Sequence, residues 1–232
     1  MGGQACVLYG AAEFSRDTDL AILASPENLD RLQTALSALQ ARLIAVPPFK
    51  LQYLERGHAI HFECDRTDTA HMRVDIMSRL RGVDPFPMLW ERRTTVELPD
   101  EGPVDVLALP DLVSAKKTQR DKDWPMIRRL VEVHYLTFRE TTTPERITFW
   151  LRELRTPAML IEAAGLFPAE AAALSSARSL IHAAVVGDFA EVTAQLETEE
   201  AQERARDAMY WAPLRAELEQ LRHATRNNRT GA

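Results

Sequence analysis

The stretch GGQACVLYGAAEFSRDTDLAIL, residues 2–23, decides the fold, because its hydrophobic period changes partway along. Gly2 and Gly3 make a turn that feeds a short helix, and Gly10 stops it. From Asp17 the pattern alternates, with Thr18, Leu20 and Ile22 between Asp17, Asp19 and Ala21. A period of two belongs to a strand, so both aspartates project from one face. Ser25 then offers an N-cap, Pro26 suits a first turn, and Leu29, Leu32, Leu36 and Leu39 form the apolar stripe of an amphipathic helix.

Downstream, short β-like runs cover residues 43–46, 50–54, 58–64, 71–78, 94–98 and 103–107. Pro47-Pro48, Arg56-Gly57 and the polar loop from Asp65 to Thr69 separate them. The runs His58 to Cys64 and His71 to Ser78 form an expected antiparallel hairpin. Asp75 then shares a strand face with Arg73 and Met77, while Val74 and Ile76 point the other way. Past Pro110 the pattern is helical, with expected breaks at 141–144, 165–168, Gly187 and Pro213. The fold class is therefore α+β: a mixed, mostly antiparallel twisted sheet flanked by helices, then an all-helical C-terminal subdomain. The expected domains are residues 1–140 and 141–225, with a flexible tail over 226–232.

The chain has 232 residues, 46% of them hydrophobic, which is enough for a sizeable core and excludes a disordered polymer. A formal charge of -6 argues against a broad basic face that holds nucleic acid by counterion release. Cys6 and Cys64 are the only two cysteines, too few for a disulfide framework or a cysteine-rich zinc site. No run approaches the roughly 18 apolar residues of a membrane span, and the N-terminus lacks a signal-peptide pattern. The expectation is a soluble, cytoplasmic protein without a membrane partner.

Asp17, Asp19 and Asp75 are three carboxylates on two strands, an oxygen-rich set suited to hard cations such as magnesium. Two such ions about 4 Å apart can hold a triphosphate for in-line displacement at phosphorus. A glycine turn beside a helix start offers backbone N–H groups to phosphates.

The order Gly2-Gly3, then Asp17-Thr18-Asp19, then Asp75 resembles the signature of the DNA polymerase β-like nucleotidyltransferase superfamily. The closer likeness is to prokaryotic stand-alone nucleotidyltransferases of the minimal and abortive-infection type. It rests on Gly3-Gln4-Ala5, Tyr9-Gly10, Arg16-Asp17-Thr18-Asp19-Leu20 and the lysines Lys116 and Lys117 ahead of Arg120-Asp121-Lys122-Asp123. It covers roughly residues 1 to 135.

That resemblance implies the nucleotidyltransferase fold and transfer of a nucleoside monophosphate from a nucleoside triphosphate, such as ATP, to an acceptor hydroxyl. Asp17, Asp19 and Asp75 would be the catalytic metal ligands for magnesium, or manganese in its place, and Asp75 would also take the acceptor proton. Gly2, Gly3, Arg16, Lys122 and Asp123 would belong to the nucleotide and phosphate site. One of Lys116 and Lys117 would face the triphosphate. The acceptor would be a protein, an RNA or a small molecule, and the chain a component of a toxin–antitoxin pair with a cognate toxin or antitoxin as partner. The superfamily also places a strand before the glycine turn, and the expected sheet lacks it.

A competing reading is a catalytically silent nucleotidyltransferase-fold module that acts by binding, as an antitoxin does. Three mutually repelling carboxylates speak against it. His58, His61 and His71 read as surface or hairpin-packing residues rather than metal ligands. Trp90, Trp124, Trp150 and Trp211 read as packing anchors, with Trp124 holding the Lys-Asp motif in place. The stretch from Lys116 to Arg129 carries six basic and two acidic residues. It suits either a triphosphate or RNA contact or a solvated helix face.

Overall fold

A computed structural model describes residues 1–230. The chain divides into two units, one made of residues 1–115 and 208–232 and the other of residues 116–207. The separation thus falls after Ala115 rather than at residue 140, and the C-terminal segment returns to the first unit.

The first unit begins with helix α1 (Gly2–Leu8), strand β1 (Asp17–Ala21) and helix α2 (Pro26–Ala38). The Ser25 side chain accepts a hydrogen bond from the Asn28 amide, so α2 starts where the capping residue and Pro26 dictate. Strand β2 (Ala41–Leu43), helix α3 (Leu51–Arg56), strand β3 (Ile60–Cys64) and strand β4 (Arg73–Met77) follow. The four strands lie in the order β1-β4-β3-β2, with β1 parallel to β4 and the other neighbours antiparallel.

Alternation explains this sheet. Ile60, Phe62 and Cys64 of β3 and Val74 and Ile76 of β4 are buried, and they join Ile22, Leu36 and Leu54 in one core. The residues between them, including His61 and Asp75, face the other way. Residues 50–54, expected as a strand, are instead mostly helix α3, because Tyr53 and Leu54 are buried side by side and Gly57 closes the helix in a left-handed cap.

Helix α4 (Phe86–Glu91), a two-stranded sheet of β5 (Thr94–Leu98) and β6 (Gly102–Val106), and helix α5 (Leu109–Ala115) follow in the chain.

The second unit is helical: α6 (Asp123–Phe138), α7 (Pro144–Glu153), α8 (Pro157–Leu166), α9 (Pro168–Leu174), α10 (Ile181–Val186) and the first part of α11 (Phe189–Thr230). Three of these helices, α7 to α9, carry proline at the first helical position, where its missing N–H costs nothing. Tyr135 and Trp150 are fully buried and meet edge to face at 5.1 Å. Pro213 does not end α11, contrary to the expected break, and the helix continues through residues 226–230, where a flexible tail was expected. Residues 231 and 232 lie outside the described part. No single helix among the described residues is long and apolar enough to cross a membrane. Only α8 and α9 together pass such a test, and they are bent by 111° with Leu160, Ala163, Ala164 and Ala171 fully buried.

Candidate functional site

The parallel pairing of β1 with β4 sets Asp19 opposite Asp75 and Asp17 opposite Arg73. Directly opposed residues share a face, so all three aspartates and Arg73 stand on the side of the sheet that turns away from Val74 and Ile76. The sequence pattern had placed Asp17 and Asp19 on one face of a strand and Asp75 on a face with Arg73 and Met77 of another, without relating the two faces. The register brings the strands together.

The antiparallel pairing of β3 with β4 adds His61, opposite Asp75. Its Nδ1 lies 2.8 Å from Asp75 Oδ1, and Arg73 Nη2 reaches both Asp75 oxygens at 3.4 Å. Burial pushes the Asp75 carboxyl up, but the hydrogen bond and charge of His61, followed by Arg73, outweigh it and hold the group below the usual carboxylate range. His61 had been read as a surface or hairpin-packing residue. Its role becomes visible only when the hairpin register is known, because that register decides which of His58 and His61 meets the carboxylate. His58 is buried instead, with Nε2 2.8 Å from Glu217.

Gly2 and Gly3 sit against the same face. The Gly3 amide donates to Asp19 Oδ2 at 3.3 Å. Gly2 has a φ of 66°, and a Cβ there would stand 1.8 Å from Asp19 Oδ2, so no larger residue fits without moving the carboxylate. Arg16 is exposed just before β1.

The remaining expected residues lie in the helical unit, where Lys116, Lys117 and Asp123 are engaged locally. Asp123 is buried and accepts from the Thr118 hydroxyl at 2.6 Å and Arg120 Nε at 2.7 Å, with Lys116 Nζ at 3.6 Å. Trp124 is buried and donates from Nε1 to the Thr118 carbonyl at 2.8 Å, which holds this loop as the sequence suggested. Lys117 pairs with Glu153 at 2.8 Å. Lys122 is exposed at the N-cap of α6.

Among the described residues no three His, Cys, Asp or Glu side chains stand close enough together to hold a metal ion. The geometry gives the reason: the Asp75 oxygens are turned to His61 and Arg73, and Asp19 Oδ2 to the Gly3 amide.

Beside Leu20 and Ala21 opens a groove of about 440 Å³, counted with its open mouth, whose wall includes Phe86, Trp90, Arg93 and Asp105. Phe86 and Trp90 stack at 5.9 Å, the Arg93 guanidinium covers Trp90 at 4.0 Å, and Asp105 pairs with Arg93 at 3.1 Å. Trp90 is 47% exposed, so it is not the core anchor expected of it. The four-residue spacing of Phe86 and Trp90, with Arg93 following, was the signal for a shared helix face.

Neither a family model nor a curated protein sequence matches the chain at a significant level.

Proposed function

We propose that the acidic face of β1 and β4 is the site of a metal-dependent nucleotidyltransferase with the fold of the DNA polymerase β-like superfamily. The observation that carries this reading is the alignment of Asp19 with Asp75 across two adjacent strands, with Asp17 on the same face and Gly2 against Asp19.

The donor set suits the metal. Carboxylate oxygens are hard ligands of the kind magnesium or manganese takes. Adjacent strands lie about 4.8 Å apart, so Asp19 and Asp75 are neighbours across the sheet, and a bound ion would require the Asp75 oxygens to leave His61 and Arg73. When bound, magnesium supplies charge that offsets the triphosphate and the developing pyrophosphate.

The reaction is an in-line displacement. The acceptor hydroxyl oxygen bonds to the α-phosphorus of a nucleoside triphosphate, the bond from that phosphorus to the bridging oxygen breaks, and pyrophosphate leaves with the electron pair. The space beside Gly2 and Gly3 is filled by the Asp19 and Ser15 side chains, so a phosphate contact falls to Arg16, which is exposed just before β1. The low pKa of Asp75 makes it a better anion than proton acceptor, so the metal-ligand role is favoured over general base. The groove walled by Phe86 and Trp90 offers an aromatic surface next to β1 for the base or the acceptor. Acceptors remain a protein, an RNA or a small molecule.

A second reading is a silent binding module of the same fold. It is favoured by one observation, that Asp75 already spends its oxygens on His61 and Arg73. Incubation with a labelled nucleoside triphosphate, magnesium and pools of protein and RNA separates the two. Transfer by the native chain, lost in a double Asp17→Ala, Asp19→Ala variant, supports the enzyme, and no transfer or equal transfer by both supports the module.

A further inference from the structure

Arg73 stands where the carboxylates of the first unit converge. The strand register sets it opposite Asp17 on β1 and opposite Glu63 on β3, and it lies two residues before Asp75 on the same face of β4. Arg42, which also lies opposite Glu63, is held by Glu63 at 2.7 Å and by Asp65 at 3.0 Å. Arg73 is held far less firmly. Its Nη2 reaches the two Asp75 oxygens at 3.4 Å each, longer than the roughly 2.7–2.9 Å of a charge-assisted hydrogen bond, and its side chain is 44% exposed. A solvated ion pair of this kind is weak.

His61 and Arg73 divide Asp75 unequally. His61 Nδ1 meets Oδ1 at 2.8 Å, whereas Oδ2 has Arg73 as its only hydrogen-bond partner among the described residues. Withdrawal of Arg73 therefore opens Oδ2 first, while His61 still orients the carboxylate through Oδ1. His61 also does more than Arg73 to hold the Asp75 carboxyl below its usual range.

A guanidinium displaced from Asp75 needs another anion. A polyphosphate is a good one, because the planar fork of arginine matches two phosphate oxygens at once. The lysines that the sequence offered for this task are engaged elsewhere, Lys116 with Asp123 and Lys117 with Glu153.

We propose that Arg73 is a polyphosphate-binding residue that exchanges one anion for another: it leaves Asp75 Oδ2 for a phosphate of the nucleoside triphosphate when that oxygen turns to a divalent cation. The exchange rests on the nucleotidyltransferase reading of the acidic face. Its consequence is a linkage between two ligands. Arg73 opposes a divalent cation that arrives alone, because like charges repel, and favours one that arrives with a polyphosphate.

Two titrations of the full chain test it. Manganese alone is followed by the electron paramagnetic resonance signal of the unbound ion, and the magnesium complex of an ATP analogue with a methylene between the α- and β-phosphorus is followed by calorimetry. Arg73→Ala, at a half-exposed position, is expected to bind manganese alone roughly threefold tighter and the nucleotide complex roughly tenfold weaker, the worth of one weak surface pair and of one charge-assisted contact. Arg73→Lys, which keeps the charge without the fork, is expected to leave manganese binding unchanged and to weaken nucleotide binding by less. The opposite signs in Arg73→Ala separate the exchange from a structural role, since a distorted site would weaken both ligands. Shifts of one sign, or no shift in either titration, overturn the exchange and leave the reading of the acidic face in place. Native protein that binds neither ligand overturns that reading and the exchange with it.

Discussion

The acidic face of the sheet and the arginine pair of the helical unit both crowd like charges, but one does so beside solvent and the other inside. Asp17 and Asp19 are partly exposed, and Asp75 has Arg73 and His61 on its oxygens. Arg155 and Arg178 are buried and share Glu199, with Glu153 and Glu200 offsetting part of the Arg155 burial. Two unit charges 4 Å apart interact by about 1 kcal/mol in bulk water and about 4 kcal/mol at the effective dielectric near a protein surface. Similar crowding therefore weighs lightly on the folding of the sheet unit and heavily on that of the helical unit.

The largest expected effect follows from removing a buried partner. Arg178→Met leaves the carbonyls of Leu151 and Leu154 without their donor, while Arg155 inherits Glu199. A loss of about 3 kcal/mol is expected, the lower end for a broken buried pair, read as a lower denaturant midpoint at unchanged slope. A loss below about 1 kcal/mol would erase the contrast.

A smaller effect concerns pH. His134 accepts the Trp150 indole N–H at 2.9 Å, and burial, followed by the charge of Arg146, pushes its pKa down to about 4. The unfolded chain takes up a proton near pH 6.5, the folded chain only near pH 4, so this stability is fully present above pH 6.5 and lost as pH falls toward 4. Discounted for partial exposure, the loss is on the order of 2 kcal/mol. Urea midpoints across that range, compared with His134→Gln, check it. Equal pH dependence in both would contradict the assignment.

The smallest effect belongs to the sheet face. Asp75→Asn is expected to change neutral-pH stability by less than about 1 kcal/mol, because the amide keeps an oxygen that can accept from His61 or Arg73 and both partners are partly exposed. Since the folded-state pKa of Asp75 lies below its ordinary value of 3.8, its favourable contribution is present above that pH and fades as pH falls below it. The variant should lose this part of the acid sensitivity in melting curves taken from pH 5 down to 3. A large neutral-pH loss would mean that Asp75 is a structural residue first.

The same contrast governs what the sequence could tell. The aspartates lie within one strand period, the Ser25 cap adjoins its helix, and Val74 and Ile76 mark the inner face of β4, so the acidic face was legible from local pattern. The pairing of His61 with Asp75 needed the hairpin register, which a polar loop does not specify. Residues 50–54 were too short to separate alternation from helical burial, and Gly57 as a helix cap was the overlooked sign. Arg155, Arg178 and Glu199 come from distant parts of the chain, so no spacing pointed to them.

The central claim is that the acidic face transfers nucleotide rather than phosphate, and the position of the label decides it most directly. Parallel incubations with magnesium and ATP labelled at either the α- or the γ-phosphorus, with the acceptor pools present, should give α-label joined to an acceptor and γ-label released as pyrophosphate. The double Asp17→Ala, Asp19→Ala variant should do neither. Transfer of the γ-label, or α-label transfer that survives in the variant, would contradict the account.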